Sequence, residues 1–150
     1  MSIDNYLLEL RLLEKNLENE INKIIEEKQD FLVGLIKNRL YQHGVDAFGK
    51  KILPTYSPST IDYKKEKHQR TAFVTLRDKG DFYKGIFVEV KNWVILASSI
   101  DGKTEHLISK YGEGILGFTQ DEQDQIIFSI IEPRIQKILN SLGKGGIKIG

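Results

Sequence analysis

Four cations crowd one short stretch of the chain: Lys64, Lys65, Lys67 and Arg70, interleaved with Tyr63 and His68 and lacking any apolar period. Basic side chains on an exposed loop neutralise phosphates. The same composition suits a solvated loop or one that faces an acidic neighbouring subunit, so these four are candidate contacts to DNA or to an acidic partner. Asp78, Asp81 and Asp101 would serve metal-assisted phosphodiester chemistry if the fold gathered them, but aspartates close to Gly80 and Gly102 read first as turn residues. Gly112, Gly114 and Gly117 match the dinucleotide-binding G-x-G-x-x-G, yet the helix that follows runs nearly to the last residue and leaves no room for a βαβ return. Lys144-Gly145 lacks the spacing of a phosphate-binding loop, and no Gly-x-Ser-x-Gly elbow occurs. The chain has no Cys, and His43, His68 and His106 stand in separate regions. That removes thiol chemistry and makes a zinc site improbable, so no catalytic residue, metal or cofactor is expected. Trp93 and Tyr83 lie in or beside strand patterns and read as core or interface anchors rather than a base-stacking platform.

The elements that must position these residues follow from periodicity. From residue 4 to about 42, Leu7, Leu10, Leu13, Leu17, Ile21, Ile24, Ile25, Leu32, Ile36 and Leu40 recur at three- and four-residue spacings, which predicts an amphipathic helix. Ser2 or Asp4 can cap its start, and His43-Gly44 can end it. If unbroken, about 38 residues at ~1.5 Å each make a rod of roughly 57 Å, longer than a small domain is wide. A break between Asp30 and Gly34, with the chain folding back, is the other reading. In the first case the acidic half projects, and Leu10, Leu13, Leu17 and Ile24 become candidate subunit-interface residues.

Beyond Gly44, Phe48, Ile52, Leu53 and Tyr56 pin a Pro-containing loop, and Ser57-Pro58 opens a short helix through Tyr63 and Lys64. Strands are predicted at 72–76, 85–90 and 93–100, the last two joined by a tight Lys91-Asn92 turn. Residues 78–83 read as a turn or a single helical turn. Thr119-Gln-Asp-Glu122 is a capping box for a last helix whose apolar face runs from Ile126 to Leu142, with Pro133 expected to kink or split it. The fold class is therefore α+β: a long N-terminal helix, a small antiparallel sheet with a hairpin, and a C-terminal helix. The chain divides into a projecting part (1–30), a core domain (31–142) and a Gly-rich arm (143–150), on which Ile147 and Ile149 are further interface candidates.

At 150 residues the chain suits one domain, and 22 Lys+Arg against 21 Asp+Glu exclude a uniformly basic protein. The balance conceals a gradient. Residues 1–36 carry 4 basic and 8 acidic side chains, residues 37–84 carry 11 and 5, and residues 85–150 carry 7 and 8. Hence the first segment is net −4 and the middle net +6, plausible complements across a subunit interface. No apolar run approaches the ~18 residues of a membrane span, and the first residues lack the plan of a secretory signal, so no membrane partner is expected and a cytoplasm is the expected place of synthesis.

Three stretches, Pro54 to Lys65, Thr75 to Ile86 and Ile115 to Ile126, together resemble the neck and tail-completion (virion morphogenesis, head–tail joining) proteins of tailed bacteriophages. Those families typically carry a Ser/Thr-rich turn followed by Lys, a segment of leucine, two residues, glycine and then an aromatic or leucine that leads into a hairpin, and a Leu-Gly-aromatic-Ser/Thr opening to the last helix. Lys79 departs from the pattern, at a position commonly small or hydroxylated, as does the extended acidic N-terminal helix. The resemblance implies a structural virion protein without a catalytic site, made in the host cytoplasm, that forms a homo-oligomeric ring between portal and tail around the channel for double-stranded DNA. Its partners would be copies of itself, portal, neck or tail proteins, and packaged DNA. A nucleic-acid-binding module using residues 64–70 is the alternative.

Overall fold

The computed structural model describes residues 2–144 and has the α+β architecture expected. Helix α1 spans Ile3–Glu27, its first turn capped by the Ser2 hydroxyl, which accepts the Asn5 N–H at 3.2 Å. The helix breaks at Lys28 (φ −105°, ψ 17°), two residues before the expected window, and α2 (Gln29–Asn38) follows with Gly34 inside it. Gln29 explains why the break is held. Its amide N–H groups donate to the carbonyls of Ile25 and Val88, while its amide oxygen accepts the Val88 N–H at 2.9 Å. One side chain thereby satisfies both backbone groups on the outer edge of a strand. A π turn (Arg39–His43) extends α2 and ends at Gly44, whose φ of 61° lets its N–H reach the carbonyls of Arg39 and Leu40. A β-carbon there would lie 2.3 Å from the Phe73 ring, so no larger residue fits.

Leu32 and Ile36 of α2 and Leu40 of its π turn, each about one turn apart, are fully buried and form the spine of the core with Ile25, Ile52, Val74, Ile115 and Ile126. In the loop after Gly44, Ile52 is buried and Tyr56 half-buried, whereas Phe48 and Leu53 are exposed and do not anchor it as expected. Helix α3 (Pro58–Glu66) starts on the Ser57 hydroxyl, which accepts the Thr60 N–H. Residues 72–76 are not a strand. Among the described residues no strand pairs with them, and side-chain hydroxyls pair with the backbone of Thr75 instead: its N–H donates to the Tyr56 hydroxyl at 2.9 Å, and the Tyr83 hydroxyl donates to its carbonyl. After the single turn α4 (Asp81–Gly85), β1 (Ile86–Lys91) and β2 (Val94–Ser99) form an antiparallel hairpin. Its turn residues are Asn92 and Trp93, both at positive φ (49° and 66°), one position later than predicted.

Helix α5 (Thr104–Tyr111) was not predicted, although Leu107, Ile108 and Tyr111 are spaced to pack as they do, against the core. A 3-10 turn (Glu113–Ile115) leads to α6 (Gln120–Ile126), where both arms of the Thr119/Glu122 capping box form. Pro133 neither splits nor ends the helix. A π turn (Ile127–Ile131) precedes it, in which the Glu132 N–H reaches back to Ile127, and α7 (Glu132–Lys144) continues beyond. Wide turns of this kind absorb the ring that would otherwise clash with the preceding carbonyl. Helical structure thus reaches Lys144, one residue past the expected start of the Gly-rich arm, and Ile147 and Ile149 lie outside the described residues.

Arg39 joins the pieces. Nearly buried, it donates from Nε to Val45 O at 3.2 Å, from one terminal nitrogen to Gly117 O at 2.9 Å, and from the other to the Glu122 carboxylate. Arg39→Ala leaves Glu122 without its cation and two carbonyls without donors, and is expected to cost about 3 kcal/mol or more in urea unfolding. A second expectation concerns pH. Burial pushes the Tyr83 phenol well above the ordinary tyrosine range, with Tyr56 the next contributor. The folded protein therefore keeps this proton where the unfolded chain has lost it, so stability is intact below about pH 10 and falls as pH rises above that value. Tyr83→Phe should lower stability at pH 7 by about 1 kcal/mol and flatten the alkaline decline, measured by urea titration at stepped pH.

Candidate functional site

The basic residues singled out by sequence do not form a free loop. Lys64 sits in the last turn of α3 and is 5% exposed; its ammonium donates to Arg77 O at 2.7 Å and Gln69 Oε1 at 3.2 Å and lies 4.8 Å from the centre of the Tyr56 ring. Among the described residues no carboxylate pairs with it. Lys64 fastens α3 to the segment before α4, so its assignment as a contact to DNA or an acidic partner is corrected. Lys65 and Lys67 are exposed. Lys67 lies 4.4 Å over Tyr63, and the hydrogen bond with that hydroxyl holds its pKa above the usual lysine value. Arg70 is exposed as well, stacked 4.6 Å from the Tyr41 ring centre and donating to Gln42 Oε1 at 3.3 Å. Stacking on tyrosine keeps these cations in place while leaving their charge available.

A stronger concentration of charge lies beside them. Lys37 and Tyr41 from the α2 helix and its π turn, Arg77 and Lys79 from the following loop, and Lys84 from α4 line a groove of about 580 Å³, with Gly34, Asn38, Gln42, Gly80 and Tyr83 completing the wall. It has four cations and no carboxylate among its lining residues. Arg77 shares the Tyr41 ring with Arg70, at 5.4 Å. Positive φ at Leu76 (59°) and Gly80 (91°) turns the chain around this rim. Sequence reading missed Lys37, Arg77, Lys79 and Lys84, because three separated segments supply them. Their only linear trace is the net charge of residues 37–84.

Asp78, Asp81 and Asp101 do share a cavity, of about 150 Å³, but Lys64, Lys79 and Lys103 line it too. Among the described residues no group of three His, Asp or Glu side chains is arranged to hold a metal ion. Asp101 serves its turn, its carbonyl accepting the Thr104 hydroxyl at 2.7 Å. The glycine motif at 112–117 packs a loop: Ala47 N–H donates to Gly114 O at 2.7 Å, and a β-carbon at Gly114 or Gly117 would press on Phe48 or Ala47.

Two apolar surfaces remain uncovered. On the first half of α1, Ile3, Tyr6, Leu7, Leu8, Leu10 and Leu12 are exposed, Ile3 by 77%. Leu13 and Leu17 are half-buried. Ile24 is 1% exposed and belongs to the interior of the chain, which corrects its assignment to a subunit interface. The uncovered part ends before residue 30, because Ile24 and Ile25 are buried and Arg134 of α7 pairs with Glu20 at 3.7 Å and Glu27 at 2.8 Å. The second surface follows the hairpin, where Trp93, Val94 and Leu96 are exposed, with Ile127 and Phe128. No helix among the described residues is long and apolar enough to cross a membrane. No family model, curated protein or solved structure matches the chain.

The two kinds of lysine should separate experimentally. Lys37→Gln with Lys84→Gln is expected to weaken binding to a 30-bp DNA duplex several-fold and to reduce the slope of log affinity against log salt by up to about 2, with the thermal midpoint unchanged. Lys64→Met should leave that slope unchanged and move stability instead; fluorescence anisotropy across a salt series, with thermal melts, reads both.

Proposed function

We propose that this protein is a structural subunit of a tailed-bacteriophage virion, forming a homo-oligomeric ring in the neck or tail-completion region that joins portal to tail around the DNA channel. The observation that carries the assembly part is the uncovered apolar face of α1. Six large apolar side chains within its first ten residues stand in solvent, and four of them, Ile3, Tyr6, Leu7 and Leu10, share one face of the helix, a patch of the kind that marks an interface. The same residues lie in the net −4 segment, which is the electrostatic complement of the net +6 middle of a neighbouring copy. A ring interface is heterologous, one face meeting a different face of the next copy, and unlike faces are what the chain offers.

The placement in a virion neck comes from the sequence resemblance. The resembling stretches contain α3 with its Ser57 cap, the α4 turn entering β1, and the capped start of α6. The groove of Lys37, Arg77, Lys79 and Lys84 gives such a ring a surface suited to the phosphates of passing DNA. That groove also favours a second reading, a nucleic-acid-binding module acting as a monomer.

Native mass at several protein concentrations, in low and high salt, tests the two. The ring subunit should associate with rising concentration or on addition of portal or tail protein, and its association through Leu and Ile should survive salt. Leu7→Asp with Leu10→Asp should return it to monomers while leaving the urea-unfolding midpoint of the core domain unchanged. A strict monomer that binds DNA only at low salt and ignores virion partners would overturn the ring in favour of the module.

A further inference from the structure

The hairpin has two outer edges, and the chain treats them differently. Ile100 N–H donates to Gly85 O at 3.0 Å, which makes Phe87–Ser98 and Glu89–Leu96 the hydrogen-bonded pairs of the ladder. Val88 therefore turns its N–H and C=O away from β2, where Gln29 satisfies both. By the same alternation Ile95 and Ala97 turn theirs away from β1, and among the described residues no backbone group pairs with them. Alongside this open edge runs a groove of about 430 Å³ whose opposite wall is formed by Leu116, Phe118, Ile126 and Ile127. Trp93 stands at its end, about half exposed and held at φ 66°, a backbone region that is unfavourable for a bulky side chain. An unpaired edge beside an apolar trough is the arrangement that accepts an added strand.

We infer that this edge receives residues 146–150 of a second copy of the chain, a reading that rests on the homo-oligomer proposed above and specifies one of its contacts. In Gly146-Ile147-Lys148-Ile149-Gly150 the two isoleucines alternate with a lysine. As an added strand they share one face, toward Leu116 and Phe118, while Lys148 joins Leu96 on the solvent side. The edge from Trp93 to Ala97 spans about 13 Å at ~3.3 Å per residue, the length of such a segment.

The donor is a second copy because the chain's own segment cannot reach. Ile127 borders the groove, and helical structure continues from there to Lys144. At ~1.5 Å per residue, those 17 steps carry the helix end roughly 25 Å away. Ile149 lies five residues further, within at most ~18 Å of Lys144 when fully extended. A tail of one copy seated in the groove of the next is a head-to-tail contact, as ring closure requires.

The chain lacks cysteine, so engineered thiols report this contact directly. Lys148→Cys is combined with Leu96→Cys or with Val94→Cys in the full-length protein and oxidised. A ladder of covalent dimers and higher multiples on non-reducing gels is expected from at least one pair; an internally closed monomer, or no cross-link from either, overturns the inference. Independently, Ile147→Asp with Ile149→Asp should leave the thermal midpoint unchanged and raise the concentration needed for association at least tenfold. If the wild type associates and this variant associates equally well, the strand contact is wrong while the ring stands. If the wild type never associates, with or without virion partners, both readings fail.

Discussion

The buried guanidinium of Arg39 is the constraint on which the rest of this fold depends. A charge taken out of water is costly unless its hydrogen bonds are made within the protein. Here three regions distant in sequence supply the acceptors: Val45 after the first helical unit, Gly117 before the last, and Glu122 within it. Glu122 is occupied twice, since it also accepts the Thr119 N–H and closes the capping box. The start of α6 is therefore set by local helix capping and by a contact to a residue 83 positions earlier, and the two requirements agree. A lysine could not replace the arginine, because one ammonium does not present a planar fork to acceptors on three sides. With Gly117 and Val45 drawn together, Gly114 and Gly117 face Phe48 and Ala47 closely enough that a β-carbon on either glycine would crowd its neighbour.

Polar side chains do much of the work that a larger sheet would otherwise do. With only two strands, the hairpin cannot stand alone in water. Gln29 closes one edge, and the Tyr56 and Tyr83 hydroxyls take over the backbone pairing of Thr75 that a third strand would have provided. Lys64 does the same for the Arg77 carbonyl. These contacts explain why residues of strand-like composition at 72–76 do not join the sheet.

What could be read from the sequence was local. The Thr119/Glu122 box, the Ser57-Pro58 start, the left-handed Gly44 and the hairpin with its neighbouring single-turn helix each depend on residues within a few positions of one another, and each is present. The hairpin turn was displaced by one residue because Trp93 occupies a left-handed position that its type disfavours. Lys64 looked like solvent-exposed charge because its acceptors, Gln69 and the Arg77 carbonyl, come from chain that turns back through His68 at φ 55°. The groove of Lys37, Arg77, Lys79 and Lys84 was not legible for a related reason: no short motif contains residues from α2, the loop after residue 76 and α4 together. Helix α5 had a signal in Leu107, Ile108 and Tyr111, but it is barely two turns long.

The first half of α1 sets a different kind of problem. An isolated helix of this length is marginal in water, since nucleation is costly and propagation adds little per residue. Ser2 caps it, but from Ile3 to Leu12 most of its apolar side chains face solvent, and the stabilisation that packing gives an amphipathic helix is missing there. The pairs from Arg134 to Glu20 and Glu27 lie further along and are part-exposed, so they contribute little. Among the described residues the helix is held most firmly from about Glu20 onward, where Ile24 and Ile25 enter the interior and Gln29 locks the turn into α2. Persistent order in the preceding turns requires a surface that covers their leucines. In the ring proposed above, helix formation at this end and association would be one thermodynamic step, driven by burial of the apolar area that the domain leaves uncovered.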